Sequence, residues 1–227
     1  MNYIVAAVGD WNKSLYELNI LKYPGRWEYA STPRELNELL SRDIKPRYIF
    51  FPHWRWIVPK SITQKYECVC FHMTDVPFGR GGSPLQNLIV RGYRDTKLTA
   101  LHMIEGVDSG PVYLKSPLSL DGSAAEIYER AAGLSWDMIY QILIDDPKPQ
   151  EQVGPITEFK RRAPSESLIP SDLTINQVYD YIRMLDADGY PKAFLEKRDY
   201  RLEFDNAVLD NGKLVATVSI TKRDELI

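Results

Sequence analysis

Short apolar runs alternate with helical patterns in the first half of the chain, and this alternation constrains the fold more than any other feature. The apolar runs are residues 3–9, 47–54 and 66–73. Between the first two, residues 32–43 have helical spacing, with Thr32 as N-cap and a proline directly after it. Continuous apolar runs of this length are typical of strands buried on both faces. The order predicts an α/β fold, with a Rossmann-like, mostly parallel sheet flanked by helices.

The composition changes at "DDPKPQEQVGP" (residues 145–155), which is polar and proline-rich. Such a segment is typical of a domain border, so we predict a main domain at residues 1–150 and a C-terminal subdomain at residues 151–227. In the subdomain we expect a helix at 174–187 and a β-hairpin at 200–220, turning at "DNG". The other predicted elements are helices at 14–22, 83–92 and 123–145 and strands at 97–106 and 110–120.

Charge and cysteine content restrict the class of protein. The formal net charge is −3, so no basic surface indicates a nucleic-acid partner. Cys68 and Cys70 lie two apart in an apolar run, a spacing that rarely suits a disulfide and that favours a reduced, cytoplasmic protein. The N-terminus does not have the pattern of a signal peptide, and no apolar run reaches membrane-spanning length, so we expect no membrane partner.

A histidine and a glycine-rich loop follow the third strand in "FHMTDVPFGRGGSP" (residues 71–84). Ligand sites of open α/β sheets collect beyond the carboxyl ends of strands, which is where His72 is predicted to lie. Asp108 falls in the Gly-flanked turn of "IEGVDSGPV", and a carboxylate can orient an imidazole and stabilise its charged form. Together the two residues predict a general base. Taken alone, His72 also fits a strand-capping hydrogen bond and Asp108 an Asx turn.

These segments resemble the folate-dependent formyltransferase family, which includes enzymes acting on methionyl-tRNA and on nucleotide-linked amino sugars. The family pattern Asn-x-His, Leu-Pro, Arg-Gly-x-x-Pro is similar to "HMTDVPFGRGGSP". The matched positions are His72, Pro77, Arg80, Gly81 and Pro84. "LTALHMIEGVDSGPV" resembles the second family segment and puts Asp108 in place of the catalytic acid. "FKRRAPSES" and "IRMLDADGYPKAF" are similar to the nucleotide-sugar N-formyltransferase branch.

The resemblance implies transfer of a formyl group from N10-formyltetrahydrofolate, a co-substrate, to a primary amine without a metal. His72 would accept the proton of the amine, and Asp108 would orient its ring. The family's Asn, which helps to hold the formyl oxygen, falls at Cys70, and a thiol is a poor donor. Losing one such donor typically costs about 10²–10³ in rate. Either another group replaces it, such as protonated His72 or a loop N–H, or the chain is a weak or inactive enzyme; we favour replacement because the remaining segments are intact.

The resemblance also implies two sets of binding residues. The candidates for the folate co-substrate are Trp54, Arg55, Trp56, Ile57, Arg80, Gly82, Ile104, Glu105 and Val107. The candidates for the acceptor substrate are Phe78, Gly79, Lys160, Arg161, Arg162, Arg183 and Tyr190. Arginine suits carboxylates and phosphates because its donors form a planar fork, although the same residues also fit a solvated basic patch. The aromatic residues equally fit core packing.

The implied acceptor is a nucleotide-linked amino sugar, with UDP and a 4-amino-4,6-dideoxy sugar of a pseudaminic-acid-type surface polysaccharide pathway as the favoured form. A homodimer that uses the C-terminal hairpin is a further expected partner. Two alternatives stay open: a non-catalytic folate- or nucleotide-binding module, and a formyltetrahydrofolate hydrolase in which water replaces the amine. The sequence does not identify the sugar.

Overall fold

A computed structural model describes residues 1–42 and 44–222. Its chain divides into two compact units. The first unit comprises Met1–Gly81, Thr96–Leu118 and Glu129–Glu158. The second comprises Gly82–Asp95, Ser119–Tyr128 and the chain from Phe159 onward, so it combines the C-terminal region with two earlier segments. The division into a main domain and a C-terminal subdomain at residue 150 stays a prediction. Residues 223–227, the last of the predicted subdomain, lie outside the described residues.

The elements of the first half of the chain are β1 (Asn2–Ala6), α1 (Asp10–Asn19), β2 (Arg26–Ala30), α2 (Pro33–Ser41), β3 (Pro46–Phe51), α3 (Lys60–Thr63), β4 (Cys68–His72), β5 (Arg80–Gly81), α4 (Pro84–Ile89) and β6 (Asp95–His102). Those of the second half are β7 (Val112–Ser119), α5 (Ala124–Asp145), β8 (Glu158–Phe159), a short 3-10 helix (Pro164–Ser167), α6 (Ile175–Arg183), β9 (Ala193–Lys197), β10 (Tyr200–Asp210) and β11 (Lys213–Lys222). The helix predicted at 32–43 corresponds to α2, and Asp43 lies outside the described residues.

A six-stranded sheet in the order β2-β1-β3-β4-β6-β7 forms the centre of the first unit. Strands β2, β1, β3 and β4 are parallel, and β6 runs antiparallel to β4. The predicted mostly parallel sheet is confirmed. Strand β2 was not predicted, because Arg26 and Glu28 interrupt its apolar pattern. It lies at the edge of the sheet, where a parallel strand need not be apolar throughout.

One buried apolar cluster of the first unit is formed by residues of β1, β3 and β4 together with α2 and neighbouring segments. Its buried members are Ile4, Ala6, Ala30, Leu36, Leu39, Ile49, Phe51, Val58, Ile62 and Cys68. Helix α2 contributes two of these residues and begins as predicted, since the Thr32 hydroxyl accepts a hydrogen bond from the Glu35 N–H at 3.2 Å. N-caps of this kind stabilise a helix by about 1 kcal/mol. The core holds β4 between β3 and β6, which fixes the position of His72 at the carboxyl end of β4.

An antiparallel sheet in the order β11-β10-β9 dominates the second unit. The predicted hairpin is confirmed: β10 and β11 are joined at Asn211 and Gly212, which both have positive φ, as a tight hairpin turn requires. Strand β9 was not predicted, since two of its five residues are charged. In the described part of the chain, no helix combines the length and the apolar composition needed to cross a bilayer.

Candidate active site

The three histidines of the chain lie in different surroundings. Burial, and then the charge of Arg55, lower the pKa of His53 to about 4, so this imidazole is neutral at physiological pH. His102 is the last residue of β6, and its ring centre lies 6.5 Å from that of Tyr113. His72 ends β4 and faces the carboxylate of Asp108. Of the three rings, the His72 ring therefore has the surroundings of an acid–base group.

Both ring nitrogens of His72 face protein atoms. Nε2 lies 2.8 Å from the carbonyl oxygen of Gly79, and because a carbonyl can only accept, Nε2 must carry a hydrogen. Nδ1 lies 3.4 Å from Oδ2 of Asp108. The side chains of His72 and Asp108 are 8% and 16% exposed. The exchangeable proton of the pair is therefore the one between Nδ1 and Oδ2.

Asp108 occupies a turn that is packed closely against β6. A Cβ on Gly110 would lie 1.8 Å from the carbonyl oxygen of His102, so no other residue fits there without movement of the backbone. Oδ2 of Asp108 accepts a hydrogen bond from the N–H of Gly81 at 3.0 Å, in addition to facing His72. The carboxylate thus contacts residues distant in sequence. This favours the predicted orienting function over a local Asx turn.

Three threonines hold the loop after His72. The carbonyl of Gly79 also accepts from the Thr74 hydroxyl at 3.2 Å, and the Thr99 hydroxyl donates to the Thr74 carbonyl at 2.7 Å. The N–H groups of Gly79 and Arg80 both donate to the carbonyl of Thr157, at 2.9 and 3.0 Å. Thr74 and Thr99 are fully buried. None of these threonines was predicted, because a hydroxyl on a strand or loop has no distinctive sequence pattern.

Cys70 lies two residues before His72 on β4, so the two side chains point to the same face of the sheet. Burial, and then the negative charge of Asp108, raise the pKa of its thiol well above the usual range. Cys70 therefore stays protonated at neutral pH and does not have the lowered pKa of a nucleophilic cysteine. As a neutral thiol it is a weak hydrogen-bond donor.

Asp75 is an acidic residue of the loop that follows His72, but its carboxylate is paired with lysines. Its carboxylate lies 2.9 Å from Nζ of Lys97 and 2.6 Å from Nζ of Lys115. Burial acts to raise the pKa of Asp75, but the hydrogen bonds from the two ammonium groups outweigh it and hold that pKa below its usual value. Asp75 is thus an ionised structural group. Within the described ranges, no three His, Cys, Asp or Glu side chains are grouped to hold a metal ion.

The residues predicted to bind the folate from the first unit are mainly exposed. The exposed side chains are Arg55, Trp56, Ile57, Ile104, Glu105 and Val107. Trp54 is half-buried, and its ring centre lies 5.7 Å from that of Phe51 and 4.9 Å from that of Trp56. An ion pair between Lys60 and Glu105 joins α3 to the β6–β7 loop. The ion pair thus connects segment 104–107 to the helix that follows segment 54–57 in the chain, and whether the two segments bind folate stays a prediction.

Four of the predicted binding residues of the second unit belong to segment 159–162 or contact it: Gly82, Lys160, Arg161 and Arg162. A Cβ on Gly82 would lie 2.5 Å from Cβ of Arg161, so this glycine permits close contact between two chain segments. Lys160 and Arg161 are exposed and accessible to an anion. Nη2 of Arg162 instead donates to the Tyr181 hydroxyl at 2.9 Å. Substrate binding by these residues stays a prediction.

Arg183 requires a correction. Its side chain is 3% exposed, and Nε lies 2.6 Å from Oδ1 of Asp180. Nη1 donates to the carbonyls of Leu120 and Gly122, at 2.6 and 2.9 Å. A guanidinium held in this way does not reach a substrate, so the predicted substrate contact is not supported. Sequence alone gave no sign of this burial.

The remaining predicted substrate residues are partly enclosed. Tyr190 is half-buried, and its ring stacks on that of Tyr128 with centres 5.3 Å apart. Phe78 is also half-buried and lies in the loop between His72 and Gly79. Gln152 was not predicted, since it falls in the segment interpreted as a domain border, yet its side chain contacts both Arg80 and the Asp108 turn. The structure thus brings together His72, Asp108, Gly79 and Arg80 of the predicted site and adds Gln152.

The sequence of the chain is similar to those of known proteins. Residues 164–221 match the family model described as methionyl-tRNA formyltransferase, C-terminal domain. The chain is 29% identical over 157 residues to the methionyl-tRNA formyltransferase of Campylobacter curvus, an alignment that covers 67% of this chain and 52% of that protein. The chain therefore spans about half the length of this curated relative.

Two solved structures extend the comparison. The structure of methionyl-tRNA formyltransferase from Clostridium thermocellum is 45% identical, with a TM-score of 0.92, covering 98% of this chain and 99% of that one. A 4-N formyltransferase from Francisella tularensis has a TM-score of 0.63 at 16% identity, covering 95% of this chain and 96% of that one. The second likeness is one of fold alone. The sugar-modifying branch is therefore matched only distantly, whereas the similar sequences are named as methionyl-tRNA formyltransferases.

Proposed function

The chain belongs to the formyltransferase family, in its methionyl-tRNA formyltransferase-like part, and on this premise we propose that it transfers a formyl group from N10-formyltetrahydrofolate to a primary amine. The observation that carries the proposal is the His72–Asp108 pair at the carboxyl end of β4. An imidazole that faces a carboxylate can take up the proton that the attacking amine must lose. The paired Asp75 and the neutral His53 do not offer this capacity.

In the proposed step, the neutral amine attacks the formyl carbon, and the bond from that carbon to N10 of the folate breaks. The amine loses one proton to the His72–Asp108 pair, and N10 gains one proton from it, so the pair is unchanged after each turnover. Because Nε2 is already protonated and bonded to Gly79, the proton is held between Nδ1 and Oδ2. Asp108 is the more exposed partner and is the point at which the proton enters.

Stabilisation of the formyl oxygen is the weak part of this arrangement. The expected substitutes for the family's Asn are engaged elsewhere, since Nε2 of His72 is bonded to Gly79 and the N–H of Gly81 is bonded to Asp108. The neutral thiol of Cys70 remains as a donor on the same face of β4. We therefore assign the oxyanion contact to Cys70, in a site that turns over slowly compared with an Asn-containing one.

Exposed apolar side chains support the folate part of the proposal. Trp56 and Ile57 in one segment, and Ile104 and Val107 in the other, are 44–85% exposed in the first unit. Apolar groups that stay exposed beside a few polar ones are typical of ligand sites. We propose that these two segments contact the pterin.

For the acceptor, we propose a nucleotide-linked amino sugar, with UDP as the favoured carrier. The net charge of −3 disfavours a large polyanion, whereas the exposed Lys160 and Arg161 are sufficient for a diphosphate. Methionyl-tRNA is the second candidate. It is favoured by the 45% identity to the protein from Clostridium thermocellum that carries that name.

An assay of tetrahydrofolate release by the purified chain tests the proposal. The chain is incubated with N10-formyltetrahydrofolate and one acceptor at a time: UDP- and dTDP-linked 4-amino-4,6-dideoxy sugars, and methionyl-tRNA. We expect release that requires the amino sugar and matches the formamide formed. Release with methionyl-tRNA alone would replace the first acceptor by the second. Release without any amine would indicate the hydrolase, and folate binding without release would indicate a non-catalytic module.

A further inference from the structure

The side-chain amide of Gln152 uses all of its hydrogen-bonding capacity within the first unit. Its Oε1 accepts from Nε and Nη2 of Arg80, at 3.1 and 2.9 Å. Its Nε2 donates to the carbonyls of Asp108 and Gly110, both at 2.8 Å. A primary amide has two donors and two acceptor positions, so none is left over. The orientation of the amide is also fixed. In the reversed orientation, its NH2 group would face the donors of the Arg80 guanidinium, and its oxygen would face the two carbonyl oxygens.

These bonds close a ring of contacts around the catalytic acid. Gln152 binds the backbone of Asp108 and the side chain of Arg80, and Gly81, the residue after Arg80, donates its N–H to Oδ2 of Asp108. The carboxylate and the backbone of Asp108 are thereby fixed from two sides. The same Oδ2 faces Nδ1 of His72.

The conformation of Asp108 explains why such support is needed. Its φ is +50°, in the left-handed region that residues other than glycine seldom adopt. A residue in that region costs on the order of 1–3 kcal/mol and persists only where its surroundings hold it. The two bonds from Gln152 hold the carbonyls on either side of Ser109, which is the part of the turn that sets the direction of the Asp108 side chain.

We infer that Gln152 is a positioning residue for formyl transfer, which keeps the Asp108 carboxylate directed at His72. The inference rests on the proposed function of the His72–Asp108 pair. Gln152 acts through Asp108 and Arg80 and does not itself contact the reacting atoms. Loss of its bonds to the Asp108 turn is expected to affect the chemical step, whereas loss of its bonds to Arg80, a candidate folate-binding residue, would raise the KM for the folate.

Gln152→Glu separates this function from simple packing. Glutamate has nearly the same shape and still accepts from Arg80, but it has no donors for the carbonyls of Asp108 and Gly110. We expect kcat to fall by about 10- to 100-fold, the range found when a catalytic group is misplaced by about 1 Å. KM for both substrates should stay at the wild-type value. Gln152→Met, which removes all four bonds, should show at least the same loss of kcat.

Gln150→Ala is the matched control, because Gln150 belongs to the same segment and its exposed side chain donates to the carbonyl of Lys148. Its kcat should equal that of the wild type. Thermal unfolding and circular dichroism of each variant establish that the measured protein is folded. Wild-type kcat in folded Gln152→Glu, or a rise in KM with constant kcat, would overturn the inference while leaving formyl transfer intact. Absence of turnover in the wild type would instead overturn the proposed function.

Discussion

Two buried pairs of opposite charge, one in each unit, differ in what they can do. In the first unit, the side chains of His72 and Asp108 are 8% and 16% exposed and stand 3.4 Å apart. In the second unit, those of Arg183 and Asp180 are 3% and 10% exposed and stand 2.6 Å apart. Burial is thus similar in the two places, and the more closely paired side chains are those of the second unit. They do not distinguish a catalytic site from a structural one.

The difference lies in whether the positive partner can lose its proton. The guanidinium of Arg183 is charged at every physiological pH, and Asp180 is held by a second arginine, Arg94, at 3.0 and 3.2 Å. That cluster has no proton to exchange. An imidazole has a neutral form and a charged form and so can exchange a proton, and Asp108 otherwise contacts a neutral backbone N–H. A buried pair of an acidic and a basic side chain therefore indicates chemistry when the basic partner is a group that can lose its proton.

His72→Ala gives the sharpest test of this comparison. We expect kcat for formyl transfer to fall by about 10²–10⁴-fold, the usual contribution of a general acid–base group. The thermal midpoint should fall, since the ring is buried and hydrogen-bonded, but circular dichroism should show that the variant is folded at the assay temperature. His102→Ala is the matched control, being a histidine outside the proposed site, and it should retain activity. Wild-type kcat in His72→Ala would remove this residue from the mechanism.

Arg183→Met tests the other pair of this comparison, in which Arg183 and Asp180 have a structural function. We expect the free energy of unfolding to fall by about 1–3 kcal/mol, because the change removes the donor to the carbonyls of Leu120 and Gly122, while Arg94 still pairs with Asp180. Urea denaturation measures the effect. In Arg34→Met, which breaks the exposed Arg34–Glu38 pair, the loss should not exceed about 0.5 kcal/mol. Unchanged stability of Arg183→Met together with a raised KM for the acceptor would restore the substrate contact that the structure does not support.

Cys70→Asn is expected to have the smallest effect. An amide is a better donor than a thiol, but it replaces the contact that the thiol already makes and does not fill an empty position, so kcat should rise by at most about tenfold. Cys70→Ala, which has no donor, should lower kcat relative to the wild type. Steady-state assays at pH 7 compare the three proteins. A loss of rate in Cys70→Asn would mean that the small size of cysteine is itself required.

Local features of the fold were predictable, and features that depend on distant contacts were not. The N-cap at Thr32 and the hairpin at "DNG" follow from the chemistry of a few adjacent residues, and the structure contains both. His72 and Asp108 were predicted to meet because their chemical types and the family resemblance agreed. Gln152 was missed, since an amide has no distinctive pattern until its partners are known. Arg183 was misassigned because sequence does not show whether a charge is buried.

The bond from the His72 ring to the carbonyl of Gly79 makes the length of the intervening segment as important as the histidine. A residue inserted or deleted between them would move the carbonyl away from Nε2. The ring could then turn about its Cβ–Cγ bond, which would place a ring carbon where Nδ1 now faces the carboxylate of Asp108. Engineering of this loop for new acceptors should therefore exchange side chains at constant length.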